Sequence, residues 1–197
     1  MLRGVTVLTI DGLLSAAQTE RLLAATLAEE RWFVEASTEG RDGYRSAAVL
    51  YTVVDEALWV VDRVAALASR AARHFDVTLS RWPRIEHQIT ASRHGDGYRP
   101  HRDDDGADPA GRALTYVYHF HRTPRRFSGG ELVLHASTPE GETERVIPPR
   151  HNQLLVFPSA TLHEVRTVSG PRHFDDSRFT INGWVWRAGL DGPSRLP

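Results

Sequence analysis

A histidine and an aspartate two positions apart are the first residues in this sequence whose types and spacing suit chemistry. They are His101 and Asp103, in the stretch GYRPHRDDDG. On an extended segment, side chains two positions apart lie on the same face, so the imidazole and the carboxylate can reach one metal ion. Pro100 restricts the backbone just before the histidine. A polar turn produces the same pattern by chance, so the pair alone indicates either a solvated loop or half of a metal site.

A third potential ligand, His163, lies in the strand-like run TLHEVRTV. Two imidazoles and one carboxylate form the ligand set of non-haem Fe(II) oxygenases, which leaves coordination positions open. We therefore predict a metal site made of His101, Asp103 and His163. Iron is expected because O2 chemistry requires a redox-active ion, although zinc accepts the same ligand types. The pair His119 and His121 resembles a cupin-type site, but no glutamate follows within a few residues, as that site requires.

The run RFTINGWVWR places an arginine on the polar face of a predicted strand. Alternation puts Phe179, Ile181 and Val185 on one face, which suits a hydrophobic core. An unpaired buried charge is costly, so an arginine on the opposite face needs an anion. That anion is either a bidentate carboxylate ligand or a structural Asp or Glu. The residues on this second face are Arg178, Thr180, Asn182 and Trp184.

The elements that precede these residues are predicted to be mainly helical. A short strand over residues 5–8 comes before a helix within residues 15–30, for which Ser15 is a suitable N-cap. A second helix is predicted over residues 55–75, with Asp55 as its cap. The stripe of this helix that is predicted to face the core consists of Leu58, Val61, Val64, Leu67 and Ala71.

After Pro83 the pattern changes to short runs with alternating polar and apolar residues, separated by turn residues. Seven such runs predict a β-sandwich or barrel with helices packed outside one sheet. We therefore predict a single domain over residues 1–197, mainly β with flanking N-terminal α-helices. In it, residues 1–82 form a helical layer and residues 83–190 form the β core. The seven runs are residues 85–92, 113–121, 130–135, 144–148, 152–157, 161–168 and 178–187.

The composition excludes several classes of function. Of the 197 residues, 41% are hydrophobic and 25% are charged, and the formal net charge of -1 offers no basic surface for nucleic acid. The absence of cysteine excludes disulfides, thiolate metal sites and cysteine nucleophiles. The sequence contains no apolar run of membrane-spanning length and begins without a signal-peptide pattern. We expect a cytoplasmic protein with no nucleic-acid or membrane partner, and the oligomeric state stays open.

Five stretches of the sequence together resemble a known family. The stretches GYRPHRD, ALTYVYHF, SGGELVLH, LLVFPSATLHEV and RFTINGWVWR are similar to the Fe(II)/2-oxoglutarate-dependent dioxygenases, in the prolyl-4-hydroxylase-like branch, over residues 86–187. The resemblance implies a double-stranded β-helix, or jelly roll, with the metal at one end. It also implies Fe(II) as cofactor, 2-oxoglutarate and O2 as co-substrates, and a tight glycine turn at Gly129 and Gly130.

The resemblance also assigns roles to individual residues. His101, Asp103 and His163 match the catalytic iron ligands, and Arg178 matches the residue that binds the distal carboxylate of 2-oxoglutarate. The sequence departs from the family where relatives often have a tyrosine, at Ser92, and in a longer connection between the second metal histidine and the arginine. The other residues expected around 2-oxoglutarate are Tyr98, Thr180 and Trp184, together with His119, which stands where relatives have a tyrosine.

The implied reaction is hydroxylation of a C–H bond, coupled to conversion of 2-oxoglutarate to succinate and CO2. The expected substrate is peptidyl, with proline the family's usual target, or is derived from an amino acid. Two alternatives stay open: the same chemistry on a small natural product, and a non-catalytic jelly-roll protein that binds metal or 2-oxoglutarate. The loop over residues 37–46, with Arg41 and Arg45, is expected at the entrance of the site.

Overall fold

The structure is a computed structural model that describes residues 6–36, 44–104, 111–138 and 141–189. Arg41 therefore lies outside the described residues, as does the first residue of the strand predicted over residues 5–8. The helices are α1 (Ala16–Ala28) and α2 (Asp55–Phe75), with short 3-10 turns at Glu30–Trp32 and Phe174–Asp176. The strands are β1 (Leu8–Asp11), β2 (Val34–Glu35), β3 (Arg45–Ser46), β4 (Ala48–Leu50), β5 (Pro83–Ser92), β6 (Gly97–His101), β7 (Arg112–Phe120), β8 (Ser128–Gly129), β9 (Leu132–Thr138), β10 (Gly141–Ile147), β11 (Gln153–Pro158), β12 (His163–Val165), β13 (Val168–Ser169) and β14 (Arg178–Gly189).

The strands form two main antiparallel sheets and one short ladder. The major sheet has seven strands in the order β1-β11-β7-β14-β5-β4-β2, and the minor sheet has five in the order β10-β9-β12-β6-β3. Strands β13 and β8 pair separately. The predicted mainly β fold with flanking helices, a jelly roll, is confirmed.

Two main hydrophobic cores hold these layers together, beside a small cluster of Ala36, Ala47 and Val49. The larger core lies between the helices and the outer face of the major sheet, where Phe179, Ile181 and Val185 of β14 are buried, as their alternation predicts. The smaller core lies inside the roll. Its buried residues are Val117, Leu132, Leu134, Ile147, Leu155 and Phe157.

Helix α1 begins with a capping box, as Ser15 predicts. The Ser15 hydroxyl accepts a hydrogen bond from the Gln18 backbone N–H at 3.2 Å, and the Gln18 side chain accepts one from the Ser15 N–H at 3.1 Å. These two bonds satisfy backbone donors that a helix start leaves free.

Helix α2 has the predicted bounds, but its cap and its buried face differ from the prediction. The N-cap residue is Val54, without a side-chain cap, and Asp55 is the first helical residue instead. Leu58 is 38% exposed, so its place in the predicted stripe is wrong. Small alanines let the helix approach the sheet closely, and the buried face therefore follows Ala57, Val60, Val64, Ala68, Ala71 and Ala72.

The first 82 residues supply more strands than the one predicted over residues 5–8, and that one lies at Leu8–Asp11 instead. Strand β1 pairs with β11, β4 pairs with β5, and β3 pairs with β6. These strands have two to four residues each, too few for alternation to show in the sequence. The predicted run 161–168 also divides, into β12 and β13. None of the described helices is long and apolar enough to cross a membrane.

Candidate metal centre

The three predicted metal ligands meet where β6 and β12 lie side by side. His101 ends β6 and His163 begins β12, and the two residues are direct antiparallel partners. Asp103 follows just beyond β6, with its Oδ2 3.4 Å from His163 Nε2 and its Oδ1 3.7 Å from His101 Nε2. One ligand atom from each of the three residues lies within 4.8 Å of the others. Strand pairing therefore brings together residues that are distant in the sequence.

Backbone carbonyls determine which nitrogen of each histidine faces the metal point, the place where the ligand atoms of His101, Asp103 and His163 converge. His101 Nδ1 is 2.8 Å from the carbonyl oxygen of Arg99, and His163 Nδ1 is 2.8 Å from that of Thr161. A carbonyl oxygen only accepts, so each Nδ1 must donate and carry the hydrogen. Each Nε2 then keeps a free lone pair, which is the form that binds a metal.

The carboxylate is held by residues that the sequence interpretation missed. The Thr115 hydroxyl donates to Asp103 Oδ2 at 2.7 Å, and the Ser159 hydroxyl lies 3.0 Å from the Thr115 oxygen. The Asp103 backbone N–H donates to the Ser159 carbonyl at 3.0 Å. Thr115 and His119 lie on the same face of β7, because side chains alternate along a strand. This alternation was the sequence signal that could have indicated Thr115.

The pKa values of His101 and Asp103 favour the protonation states in which these residues bind a metal. Burial, followed by the charge of His163, lowers the pKa of His101 to about 4. Burial by itself raises the pKa of Asp103, but the neighbouring His163 ring and the hydrogen bond from the Thr115 hydroxyl bring that pKa well below its ordinary range. At neutral pH the site therefore offers a neutral His101 imidazole and an ionised carboxylate.

Aromatic side chains hold the strand that carries His101. The Tyr98 ring stacks on the His101 ring, with centroids 3.5 Å apart and planes 19° apart. The Arg45 guanidinium lies 5.2 Å from the Tyr98 ring centroid. Arg45 belongs to β3, the edge strand that pairs with β6. The Tyr44 ring meets Tyr98 edge-on, and the Tyr44 hydroxyl donates to the Pro100 carbonyl.

The metal point opens into a cavity of about 680 Å³. Arg45 of the predicted entrance loop lies on its wall, as do the three ligands and four of the five residues expected around 2-oxoglutarate. The fifth, His119, is fully buried and does not line the cavity. The residues of the expected set that do are Tyr98, Arg178, Thr180 and Trp184.

Three neighbouring strands of the major sheet, β5, β14 and β7, form the floor of this cavity, and their paired residues line up in rows across the sheet. Along β14, Thr180 lies opposite Thr90 of β5 and His119 of β7. The next row, farther along β14 from Arg178, joins Asn182 to Gln88 and Val117, and a third joins Trp184 to Glu86 and Thr115. Hydrogen bonds tie the floor together, because the Thr90 hydroxyl donates to Asn182 Oδ1 at 2.7 Å. The metal ligand Asp103 is thus attached to the third row, through Thr115.

Arg178 lies at the inner end of the cavity, 3% exposed, where Gly130 makes room for it. Gly130 has φ +70, and a Cβ there would lie 2.5 Å from the Arg178 Cδ. At Gly129, with φ +72, a Cβ would lie 2.1 Å from the Thr167 carbonyl oxygen. Both positions require glycine, because φ is positive and because a Cβ would come too close to another part of the chain. This agrees with the tight turn predicted at Gly129 and Gly130.

The Arg178 guanidinium has donor capacity available for an anion. Its Nε has no hydrogen-bond partner among the described residues. Burial lowers the pKa of Arg178 to about 10, while the charge of Glu131 opposes that shift, so the side chain stays charged at neutral pH. His119 is its neighbour, and neither ring nitrogen of His119 has a partner in the described part of the chain. Burial lowers the pKa of His119 well below its ordinary value, so this ring is neutral.

Comparison with known sequences identifies relatives of this arrangement. The sequence model of the 2OG-Fe(II) oxygenase superfamily matches residues 87–186, which are 100 of the 197 residues. An uncharacterised PKHD-type hydroxylase from Synechocystis sp. is 30% identical over 186 residues, covering 89% of this chain and 61% of the relative. The chain spans 61% and 44% of the lengths of the two curated relatives compared.

Two solved structures have the same fold. A prolyl hydroxylase from Trichoplax adhaerens, in complex with a peptide fragment of the hypoxia inducible factor oxygen degradation domain, matches with a TM-score of 0.72 at 18% identity, covering 92% of this chain and 83% of that one. A prolyl-4-hydroxylase from Pseudomonas putida matches with a TM-score of 0.71 at 19% identity, covering 93% of each chain.

Proposed function

Because the chain belongs to the 2OG-Fe(II) oxygenase superfamily, we propose that it is an Fe(II)- and 2-oxoglutarate-dependent dioxygenase that hydroxylates a C–H bond. The observation that carries this proposal is the convergence of His101, Asp103 and His163 in one cavity with a buried arginine, Arg178, whose Nε has no hydrogen-bond partner among the described residues. A non-catalytic binding protein would need the arginine or the ligands, but has no chemical need of both.

The residues present suit Fe(II). The two Nε2 lone pairs of His101 and His163 and the carboxylate of Asp103 would hold the metal by one face and leave the opposite positions free. When bound, the iron and 2-oxoglutarate supply an O2-dependent oxidation in which 2-oxoglutarate loses CO2 and becomes succinate, while one oxygen atom enters the substrate C–H bond. The chain's own residues orient the groups and shield them from water.

The inner end of the cavity suits 2-oxoglutarate. Arg178 would receive its distal carboxylate, because a guanidinium matches a carboxylate with two parallel hydrogen bonds. The Thr180 hydroxyl lies next along the same face of β14. The further hydrogen bond expected from His119 stays a prediction, because its neutral ring lies beside Arg178 but does not line the cavity.

Two aromatic residues complete the pocket. Tyr98 would line the 2-oxoglutarate pocket while its ring keeps the His101 ring in place by stacking. Trp184 lies in the row of Thr115, on the wall where a substrate would approach the metal. The expected substrate is peptidyl and prolyl-like, or derived from an amino acid. Support for the peptidyl choice comes from the two structural relatives, both named as prolyl hydroxylases. The cytoplasmic location and the single domain over residues 1–197 stay predictions.

The proposal is tested by oxygen-dependent conversion of 2-oxoglutarate to succinate in the iron-loaded protein. We expect succinate from the wild-type protein, and none above background from His101→Ala, because one ligand is lost. His173→Ala, which changes a histidine outside the cavity, serves as the control and should keep the wild-type rate. Full turnover by His101→Ala would contradict the assignment of the metal site.

A further inference from the structure

The cavity wall outside the Arg178 pocket carries hydrogen-bond donors that have no acceptor. Among the described residues, the buried cavity-lining nitrogens without partners, apart from that of Arg178, are Gln88 Nε2, Arg112 Nε and Trp184 Nε1. All three are N–H donors, and a buried donor is normally paired. A molecule that fills this part of the cavity should therefore present acceptor atoms to it.

Arg112 is held rigidly at this wall. Its guanidinium lies over the Trp184 ring, 3.4 Å from the centroid, and 5.8 Å from the centroid of Trp186. Glu86 Oε2 is 3.8 Å away, but Glu86 is shared with Arg84 and leaves the Nε of Arg112 free. A flat guanidinium fixed by stacking loses little freedom when it binds a planar carboxylate.

Arg112 also lies close to the reacting end of the cavity. It pairs with Trp186 on β14, adjacent to the row in which Thr115 holds Asp103. Arg112 and Asp103 also line the same cavity. A group bound by Arg112 would therefore lie near the metal rather than at a remote part of the surface.

The charges on the cavity wall leave one positive charge unbalanced. Three arginines and two carboxylates line it, and the metal-binding histidines are neutral as ligands. Fe(II) brings two positive charges and 2-oxoglutarate two negative charges, so their binding leaves this balance unchanged. A substrate with one negative charge would restore neutrality. The charged residues are Arg45, Arg112, Arg178, Glu86 and Asp103.

Arg45 supplies a second cation on the opposite strand edge. It lies over Tyr98, which stacks on His101, and it belongs to β3 at the margin of the minor sheet. Arg45 and His101 line the same cavity, so this cation also faces the space beside the predicted metal ligands. Two cations thus face one cavity whose volume of about 680 Å³ is in the range of small-molecule sites.

We propose that the prime substrate is a carboxylic acid, such as an amino acid derivative, whose carboxylate is received by Arg112 with the aid of Arg45. This inference rests on the proposed function and names its substrate class. A prolyl residue inside a peptide is neutral and would leave one positive charge unpaired. The carboxylate would accept from Arg112, with Gln88 and Trp184 as further donors on the same wall.

The test compares acids with amides of the same shape. N-acetyl-L-proline, N-acetyl-L-leucine and their primary amides are titrated into protein loaded with zinc(II) and 2-oxoglutarate, and binding is followed by saturation-transfer NMR. We expect the acids to bind about tenfold more tightly than the amides, since a charged acceptor strengthens hydrogen bonds to a guanidinium. The preference should be lost in Arg112→Gln and reduced in Arg45→Gln.

Two further variants keep the test informative. Arg112→Lys retains the charge and should retain part of the preference. Arg21→Gln removes an arginine whose side chain is 68% exposed, in a pair with Glu56 away from the cavity, and should bind like the wild type. Equal affinity for acids and amides, no binding of either class, or an acid preference that persists in both Arg45→Gln and Arg112→Gln would overturn the inference.

Failure of this inference and failure of the proposed function give different results. Succinate formation by the iron-loaded wild-type protein measures the proposed function without any of these probes. Succinate formed without an acid preference would reject the substrate class alone. A peptide with blocked ends and an internal proline that binds more tightly than the acids would likewise favour the neutral, peptidyl substrate.

Discussion

At the scale of single residues, the metal site is arranged by its hydrogen bonds before any metal arrives. Two backbone carbonyls assign the hydrogen of each histidine to Nδ1 and free each Nε2. The Thr115 hydroxyl occupies one lone pair of Asp103 Oδ2 and leaves the carboxylate turned toward the histidines. Such supporting contacts set the direction and basicity of the ligands.

The substitution Thr115→Val should therefore weaken metal binding. Valine matches the shape of threonine but removes the donor to Asp103, and loss of a supporting contact of this kind costs about 10- to 100-fold in metal affinity. Titration of the metal-free protein with Mn(II) by calorimetry measures the change. Thr143→Val, which removes a hydroxyl on the outer hairpin that bonds the Ala136 carbonyl at 3.3 Å, is the matched control. Equal affinities in the two variants would show that Thr115 does not support the site.

At the scale of elements, the turn before β9 determines where Arg178 can lie. Gly129 and Gly130 both have positive φ, and each approaches another part of the chain more closely than a Cβ permits. The turn thus has two functions: it leads the chain into β9, and it forms the wall against which Arg178, at the start of β14, packs.

The substitution Gly130→Ala should reduce 2-oxoglutarate affinity by about tenfold or more, which is about 1.4 kcal/mol of binding free energy. Its Cβ would displace the Arg178 side chain, since the Cδ lies 2.5 Å from the ideal position. Gly12→Ala is the control, because Gly12 has φ +64 with nothing within 4 Å, so it carries a similar backbone penalty of about 1–2 kcal/mol without the clash. Calorimetry of 2-oxoglutarate binding to the zinc-loaded variants separates them, and equal affinities would contradict the role of the turn.

Long elements with a clear period could be predicted from the sequence, and short ones could not. Helix α2 has the predicted bounds, and β14 alternates as expected between core and cavity. Strands β2, β3 and β8 have two residues each, which is shorter than one period of alternation can reveal. Helical spacing with Val64 and Ala71 predicts a core position for Leu58, whereas the helix turns its alanine face to the sheet because small side chains allow the closer approach.

At the scale of the whole molecule, two sheets enclose both the smaller hydrophobic core and the cavity that holds the predicted metal ligands. Both helices cover the outer face of the major sheet, so its inner face is free to carry polar and charged residues. The register of β5, β14 and β7 places Gln88, Trp184 and Arg112 near the metal ligands. These neighbours depend on pairing between strands far apart in the sequence, which is why the ligands could be predicted from their motifs but these residues could not.

The neutral, fully buried His119 makes stability depend on pH. Its pKa is lowered in the folded protein, whereas in the unfolded chain it is near 6.5, so the unfolded state binds more protons as the pH falls below about 6.5. The free energy of unfolding should fall there by up to about 1.4 kcal/mol per pH unit from this residue. The loss continues until the pH reaches the folded-state pKa.

Urea unfolding of the metal-free wild-type protein and of His119→Gln, at about pH 7.5 and about pH 5.5, measures this contribution. We expect the wild-type protein to lose about 1 kcal/mol more than the variant between these two values. Both proteins share the other buried histidines, which cancel in the comparison. The same pH dependence in both would mean that His119 is protonated to the same extent in the folded and unfolded states.

The central claim is that one cavity holds Fe(II) on His101, Asp103 and His163 and holds 2-oxoglutarate on Arg178. The most direct measurement is the weak visible charge-transfer band that forms when Fe(II) and 2-oxoglutarate are added together without air. We expect this band in the wild-type protein, its loss in His163→Ala, and a need for higher 2-oxoglutarate concentrations in Arg178→Gln. No band in the wild-type protein with both components present, or an unchanged band in His163→Ala, would rule out this metal site.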